Sequence, residues 1–107
     1  MAVRQMTPAE VAAALKSKDP PLLLDVRTPG EHRCAAIEGA VLIPMDTLAT
    51  RLDELDPDRP TIVMCHHGFR SNNVAHYLAA RGFSDIANLI GGIERYSREI
   101  DPRVPRY

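Results

Sequence analysis

Four short apolar runs recur along the chain: Leu22-Leu23-Leu24 ending at Asp25, Val41-Leu42-Ile43, Thr61-Ile62-Val63-Met64 and Ile86-Ala87-Asn88-Leu89. Each is continuous rather than alternating, the pattern of strands covered on both faces. Between them the spacing turns helical. Thr7 and Glu10 stand at capping-box spacing, Pro8 takes the first helical position and Met6 can staple against Val11. That helix is expected to run to about Ser17 and stop before Asp19-Pro20-Pro21. Leu48, Leu52 and Leu55 fall at i, i+4 and i+7 and predict one apolar helical stripe after Pro44. Val74, Tyr77 and Leu78 mark a helix from about Ser71 to Arg81. Gly82 suits the left-handed position after it, and Phe83 can close the turn against Leu78. A last short helix is expected after Gly91-Gly92, with Ile93 and Tyr96 facing inward. Strands alternating with helices predict an α/β fold: a mainly parallel sheet of four to five strands, right-handed crossovers and helices on both faces. In such a fold ligands bind beyond the carboxyl ends of the strands, so the segment after Met64 is the first place to look.

Length and composition narrow the picture. At 107 residues the chain has room for one domain, and its 45% hydrophobic and 25% charged residues exclude disorder. No apolar stretch approaches the ~20 residues of a membrane-spanning helix, and the first residues lack the apolar core of a secretory signal, so a cytoplasmic, membrane-free location is expected. Thirteen Lys and Arg against fourteen Asp and Glu lack the basic excess of a nucleic-acid binder. The nine prolines are scattered between elements rather than gathered into a linker. The two cysteines, Cys34 and Cys65, form no CxxC, zinc-finger or disulfide framework and are expected to be reduced. A cysteine in an unusual setting is then a candidate for chemistry.

Cys65 has such a setting, in Cys65-His66-His67-Gly68-Phe69-Arg70-Ser71. It ends an apolar strand, and a helix is expected to begin five or six residues later. A tight loop here would turn successive backbone N–H groups inward as an anion nest, and the helix start adds orphan donors and the positive end of its dipole. Such donors favour the thiolate over the thiol. Arg70 adds a permanent charge and a forked donor suited to an oxyanion, and Gly68 allows a backbone conformation that other residues resist. The plain alternative is a small buried residue capping a strand. It leaves the register of cysteine, glycine and arginine between strand and helix unexplained. Cys34 reads as a spectator thiol and His76 as a helix residue without chemistry. His66 and His67 stand too close to Cys65 to converge on a metal, and one imidazole is expected to line the pocket mouth.

Cys65, Gly68, Arg70 and Ser71 match the Cys-x-x-Gly-x-Arg-Ser loop of the rhodanese family, which the chain resembles over nearly its whole length. Leu24-Asp25-Val26-Arg27 with Glu31 matches the family's Leu-Asp-Val-Arg-x-x-x-Glu. Ile37, Gly39, Ala40 and Ile43-Pro44 match its Ile-x-Gly-Ala-x-x-Ile-Pro. Asn88-Leu89-x-Gly91-Gly92-Ile93 matches its late Leu-x-Gly-Gly, and the ending from Asp101-Pro102 to Tyr107 resembles the tail of many bacterial members. The chain departs from the pattern at Ala35-Ala36, where members often have Gly-His, and at His32 and Tyr96, where other aromatics are usual. Asp25 and Arg27 read as structural, with Asp25 accepting hydrogen bonds that hold the loops and Arg27 pairing with Glu31 or Asp25.

The resemblance implies a single rhodanese-like domain over residues 1–107 and a sulfurtransferase of the thiosulfate type. Cys65 would be the catalytic nucleophile, and His66, His67, Gly68, Phe69, Arg70 and Ser71 would bind the substrate. Sulfane sulfur would pass from a donor such as thiosulfate to cyanide or a thiol through a Cys65 persulfide, with no cofactor and no metal. The partners implied are a small-molecule donor and acceptor, with a protein donor or acceptor left open. A persulfide carrier or interaction module is the alternative. Cysteine-dependent phosphatases, which resemble this loop, place five residues between cysteine and arginine. Here there are four, which favours a pocket fitted to one sulfur.

Overall fold

The computed structural model describes residues 3–107. Its strands are β1 (Arg4–Met6), β2 (Leu22–Asp25), β3 (Val41–Leu42), β4 (Thr61–Met64) and β5 (Ile86–Leu89). Its helices are α1 (Pro8–Leu15), α2 (Pro29–Cys34), α3 (Phe69–Ala80) and α4 (Gly92–Glu99). All strands are parallel, in the order β1-β5-β4-β2-β3. The four apolar runs are the four inner-sequence strands, and their period of two splits them between two cores. Leu23, Ile62, Met64, Ala87 and Leu89 pack with Val11 of α1 and with Ile93 and Tyr96 of α4. Leu24, Val63 and Ile86 face the other way, against Val74, Ala75 and Leu78 of α3.

The capping box expected at Thr7 and Glu10 is formed, though α1 stops at Leu15, two residues early. The end of α3 also follows expectation. Gly82 has φ +94°, its N–H donates to the Ala79 carbonyl, and the Phe83 N–H reaches back to Leu78. Its start does not: α3 begins at Phe69, only four residues after Cys65. The leucine stripe after Pro44 is not a helix. It forms two 3-10 turns, Leu48–Thr50 and Leu52–Glu54. The hydroxyls of Thr47 and Thr50 bond the carbonyls of Pro44 and Thr47, three residues back, and so compete with helical hydrogen bonding. Leu48 and Leu55 nevertheless reach the core.

Two elements carry no apolar signal of their own. β1 is a three-residue edge strand, and α2 buries none of its residues. The start of α2 was readable all the same, since Thr28-Pro29-Gly30-Glu31 repeats the Thr7-Pro8-Ala9-Glu10 signature and forms the same capping box. The chain leaves β2 toward β3 on one side and leaves β4 toward β5 on the other. The loops after β2 and β4 therefore meet at the switch point where parallel sheets hold ligands. Among the described residues no helix is long and apolar enough to cross a membrane.

Candidate active site

Cys65 continues the alternation of β4 by one position, so its side chain follows that of Val63 toward α3 and is 1% exposed. Gly68, with φ +99°, then turns the chain into α3. The turn aims two amides at the sulfur: Gly68 N–H donates to Cys65 Sγ at 3.1 Å and Ser71 N–H at 3.4 Å. Two neighbouring elements hold this loop. The first turn of α4 donates to its carbonyls, Ile93 N–H to Cys65 and Glu94 N–H to His66. From below, the Ser71 hydroxyl donates to Asn88 Oδ1 at 2.5 Å, and Asn88 Nδ2 donates to the Gly68 carbonyl and to Gln5. Gln5 in turn donates to Asn72. Asn88 faces α3 because it shares the parity of Ile86, and a polar residue inside a buried apolar run was its only sequence signal.

The loop after β2 supplies charge. Arg70 forms a forked pair with Glu31, at 2.7 Å and 2.8 Å. The fork read from sequence as an oxyanion donor is thus already engaged by a carboxylate. Behind it, Arg27 and Asp25 form a fully buried ion pair. Asp25 accepts from the Arg27 amide, from its Nε and Nη2 and from His32. The remaining Arg27 N–H groups go to the carbonyls of Glu31 and Ala35 and to the Tyr107 hydroxyl, so every charge-bearing donor is satisfied. Of the two acids expected for Arg27, the structure chooses Asp25.

His66 is stacked between His67, at 3.9 Å between ring centres, and Tyr107, at 4.0 Å. Burial and the neighbouring His67 lower the pKa of His66, against the opposing pull of Glu31 and Glu94. His67 and Phe69 point outward, Phe69 with 80% exposure, and line a cleft of about 370 Å³ with Gln5, Asn72 and Ile90. Cys34 is exposed at the end of α2, and His76 is exposed on α3; neither joins the loop. Glu31, Asn88, Gln5 and Tyr107 are site residues that loop-based reading did not assign.

The forked bond from Arg70 drives the Glu31 carboxyl far below its ordinary pKa; burial opposes this, while Tyr107 and Thr28 assist it. For Asp25, burial pushes upward, but hydrogen bonds from Arg27 and His32 outweigh it and the net shift is also down. A carboxylate with a depressed folded pKa stabilises the fold above its unfolded value, about 4, and loses that contribution as pH falls through the folded one. Denaturant midpoints are therefore expected to hold from about pH 7 to pH 5 and to fall steadily below about pH 4. Glu31→Gln is expected to make that fall shallower. A midpoint indifferent to acid would contradict the assignment of both pairs.

A parallel α/β sheet whose switch point holds a buried cysteine under backbone donors defines a cysteine-loop enzyme of the rhodanese type. The Rhodanese-like domain family profile matches residues 7–99, and the chain belongs to that family. It is 36% identical over 87 residues to thiosulfate sulfurtransferase GlpE of Pseudomonas putida, covering 81% of this chain and 79% of that protein. A match to Rhodanese-like/PpiC domain-containing protein 12, chloroplastic, of Arabidopsis thaliana is 37% identical over 89 residues. It spans 79% of this chain but only 30% of that longer protein. The crystal structure of a rhodanese-like domain protein from Staphylococcus aureus superposes with a TM-score of 0.85 at 30% identity, covering 98% of this chain and 99% of that one.

Proposed function

We propose that the chain is a sulfurtransferase that moves sulfane sulfur from thiosulfate to a thiophilic acceptor through a persulfide on Cys65. The observation that carries this reading is the buried Cys65 sulfur with the Gly68 and Ser71 amides directed at it. Amide donors with no compensating negative group stabilise an anion at that point, whether thiolate or persulfide. In the first half-reaction the thiolate attacks the outer sulfur of thiosulfate. The S–S bond of the donor breaks, and sulfite leaves with its electron pair. In the second, cyanide or a thiolate attacks the terminal sulfur of the persulfide, and the Cys65 thiolate leaves. No general base is needed, because no proton moves from the nucleophile in either step. His66, His67, Gly68, Phe69, Arg70 and Ser71 make up the loop that would meet the donor, with the Arg70 guanidinium, paired to Glu31, as its permanent cation.

The test is intact mass after exposure to thiosulfate, with removal of excess donor. One added sulfur, located on Cys65 and discharged by cyanide, is expected. No added sulfur under these conditions would refute thiosulfate as donor and favour a carrier loaded by another protein.

A further inference from the structure

The C-terminal tail returns to the loop and places Tyr107 against both halves of the site. Its hydroxyl accepts from Arg27 at 2.8 Å and donates to Glu31 Oε2 at 2.8 Å, joining the two ion pairs through one oxygen. The proton has one possible direction, since a guanidinium only donates and a carboxylate only accepts. Glu31 is thereby gripped from three segments of the chain. Its Oε1 accepts from the Thr28 amide in the α2 capping box and from Arg70, and its Oε2 accepts from Tyr107 and from the other arm of Arg70. A carboxylate fixed at both oxygens presents a single plane to a forked guanidinium, so Arg70 inherits its orientation. The Tyr107 ring also lies on His66, the residue after Cys65, with an angle of 15° between the planes.

We propose that Tyr107 is a positioning residue for sulfur transfer: it orients Arg70 through Glu31 and steadies His66 from outside, without touching Cys65. This rests on the sulfurtransferase reading above. The Gly68 and Ser71 amides reach the sulfur without help from the tail, so the contribution of Tyr107 falls on capture of the anionic donor rather than on chemistry at sulfur.

Tyr107→Phe keeps the ring and its stack and removes only the hydroxyl. The thiosulfate KM is expected to rise about tenfold with kcat within about twofold of the parent. In an Arg70→Ala background the same change should have no further effect on KM, because the residue through which it acts is gone. A readout independent of turnover is the NMR rate of guanidinium rotation in Arg70, slow in the parent and about tenfold faster in Tyr107→Phe. Tyr107→Ala should add a shift of the His66 ring protons as the stacked ring is lost. An unchanged KM and rotation rate in Tyr107→Phe would overturn the proposal. So would a KM effect that persists in full without Arg70, or a loss of kcat alone that tracks a lower Tm. Were the parent to take no sulfur from thiosulfate, the sulfurtransferase reading would fall, and the rotation rate alone would decide whether Tyr107 positions Arg70.

Discussion

Cys65→Ser is expected to abolish thiocyanate formation from thiosulfate and cyanide, by at least about a thousandfold. Serine fits the space, and its oxygen can accept from Gly68 and Ser71 as the sulfur does. Amide donors alone do not ionise an alcohol, however, and among the described residues no basic side chain is hydrogen-bonded to this position. The variant is therefore expected to fold, with its Tm near that of the parent, and to be inert. Cys34→Ser is the matched control. Cys34 is exposed at the end of α2, outside the loop, and its replacement should leave turnover within about threefold. Full turnover in Cys65→Ser would remove the nucleophile from the mechanism. An equal loss in Cys34→Ser would point to a two-thiol reaction instead.

Gly92→Ala is expected to be the most damaging single methyl group in the molecule. A Cβ at this position would lie 2.3 Å from the His66 carbonyl oxygen and 2.5 Å from that of Cys65. Both are backbone atoms of the active loop and cannot swing aside as a side chain would. The residue also has φ +62°, which an L side chain resists. Relief would require α4 to lift away, and the bonds from Ile93 and Glu94 to those same carbonyls would stretch. Strain and overpacking together are expected to exceed about 3 kcal/mol, a fall in Tm of more than about 12 °C. Gly39→Ala separates the two effects. Gly39 has φ +86° but nothing within 4 Å of an added Cβ, so it should show the backbone strain without the collision. Similar losses in the two variants would mean that the close approach of α4 to the loop matters little. Survivors of Gly92→Ala should also transfer sulfur poorly, because one displaced carbonyl belongs to Cys65, the proposed nucleophile.

β2, β4 and β5 were legible because burial on both faces writes itself as uninterrupted apolar residues, and all three agree to the residue; β3 carries the same kind of run although it lies at the sheet edge with Val41 exposed. β1 was not, because three residues at a sheet edge, two of them Arg4 and Gln5, leave no such run. The leucine spacing before β4 reported burial correctly and geometry wrongly. Turns of three residues also bring Leu48 and Leu55 to the core. The Cys65 loop could be read because its strand end, glycine and helix start are contiguous. Its supports could not. Ser71 meets Asn88 across 17 positions, Arg70 meets Glu31 across 39, and Tyr107 meets Arg27 across 80. Arg70 shows the limit most clearly: its charge and fork were readable, but the carboxylate that engages them lies in another crossover.

The pairing of β1 with β5 bears on when the site comes into being. Gln5 reaches Asn88 across 83 positions, so the floor of the loop depends on a contact that closes nearly the whole chain. Closures of that length come late in folding, after the local β4–α3–β5 segment has had every chance to form. A three-residue edge strand is also among the first parts of a sheet to open under native conditions. Backbone amides of β1 should therefore exchange with solvent sooner than those of β4. Each such opening would take Gln5 from Asn88 and leave its bonds to Ser71 and Gly68 in place. The sulfur thus follows a central strand of the sheet, while its floor leans, through Asn88, on a strand at the edge.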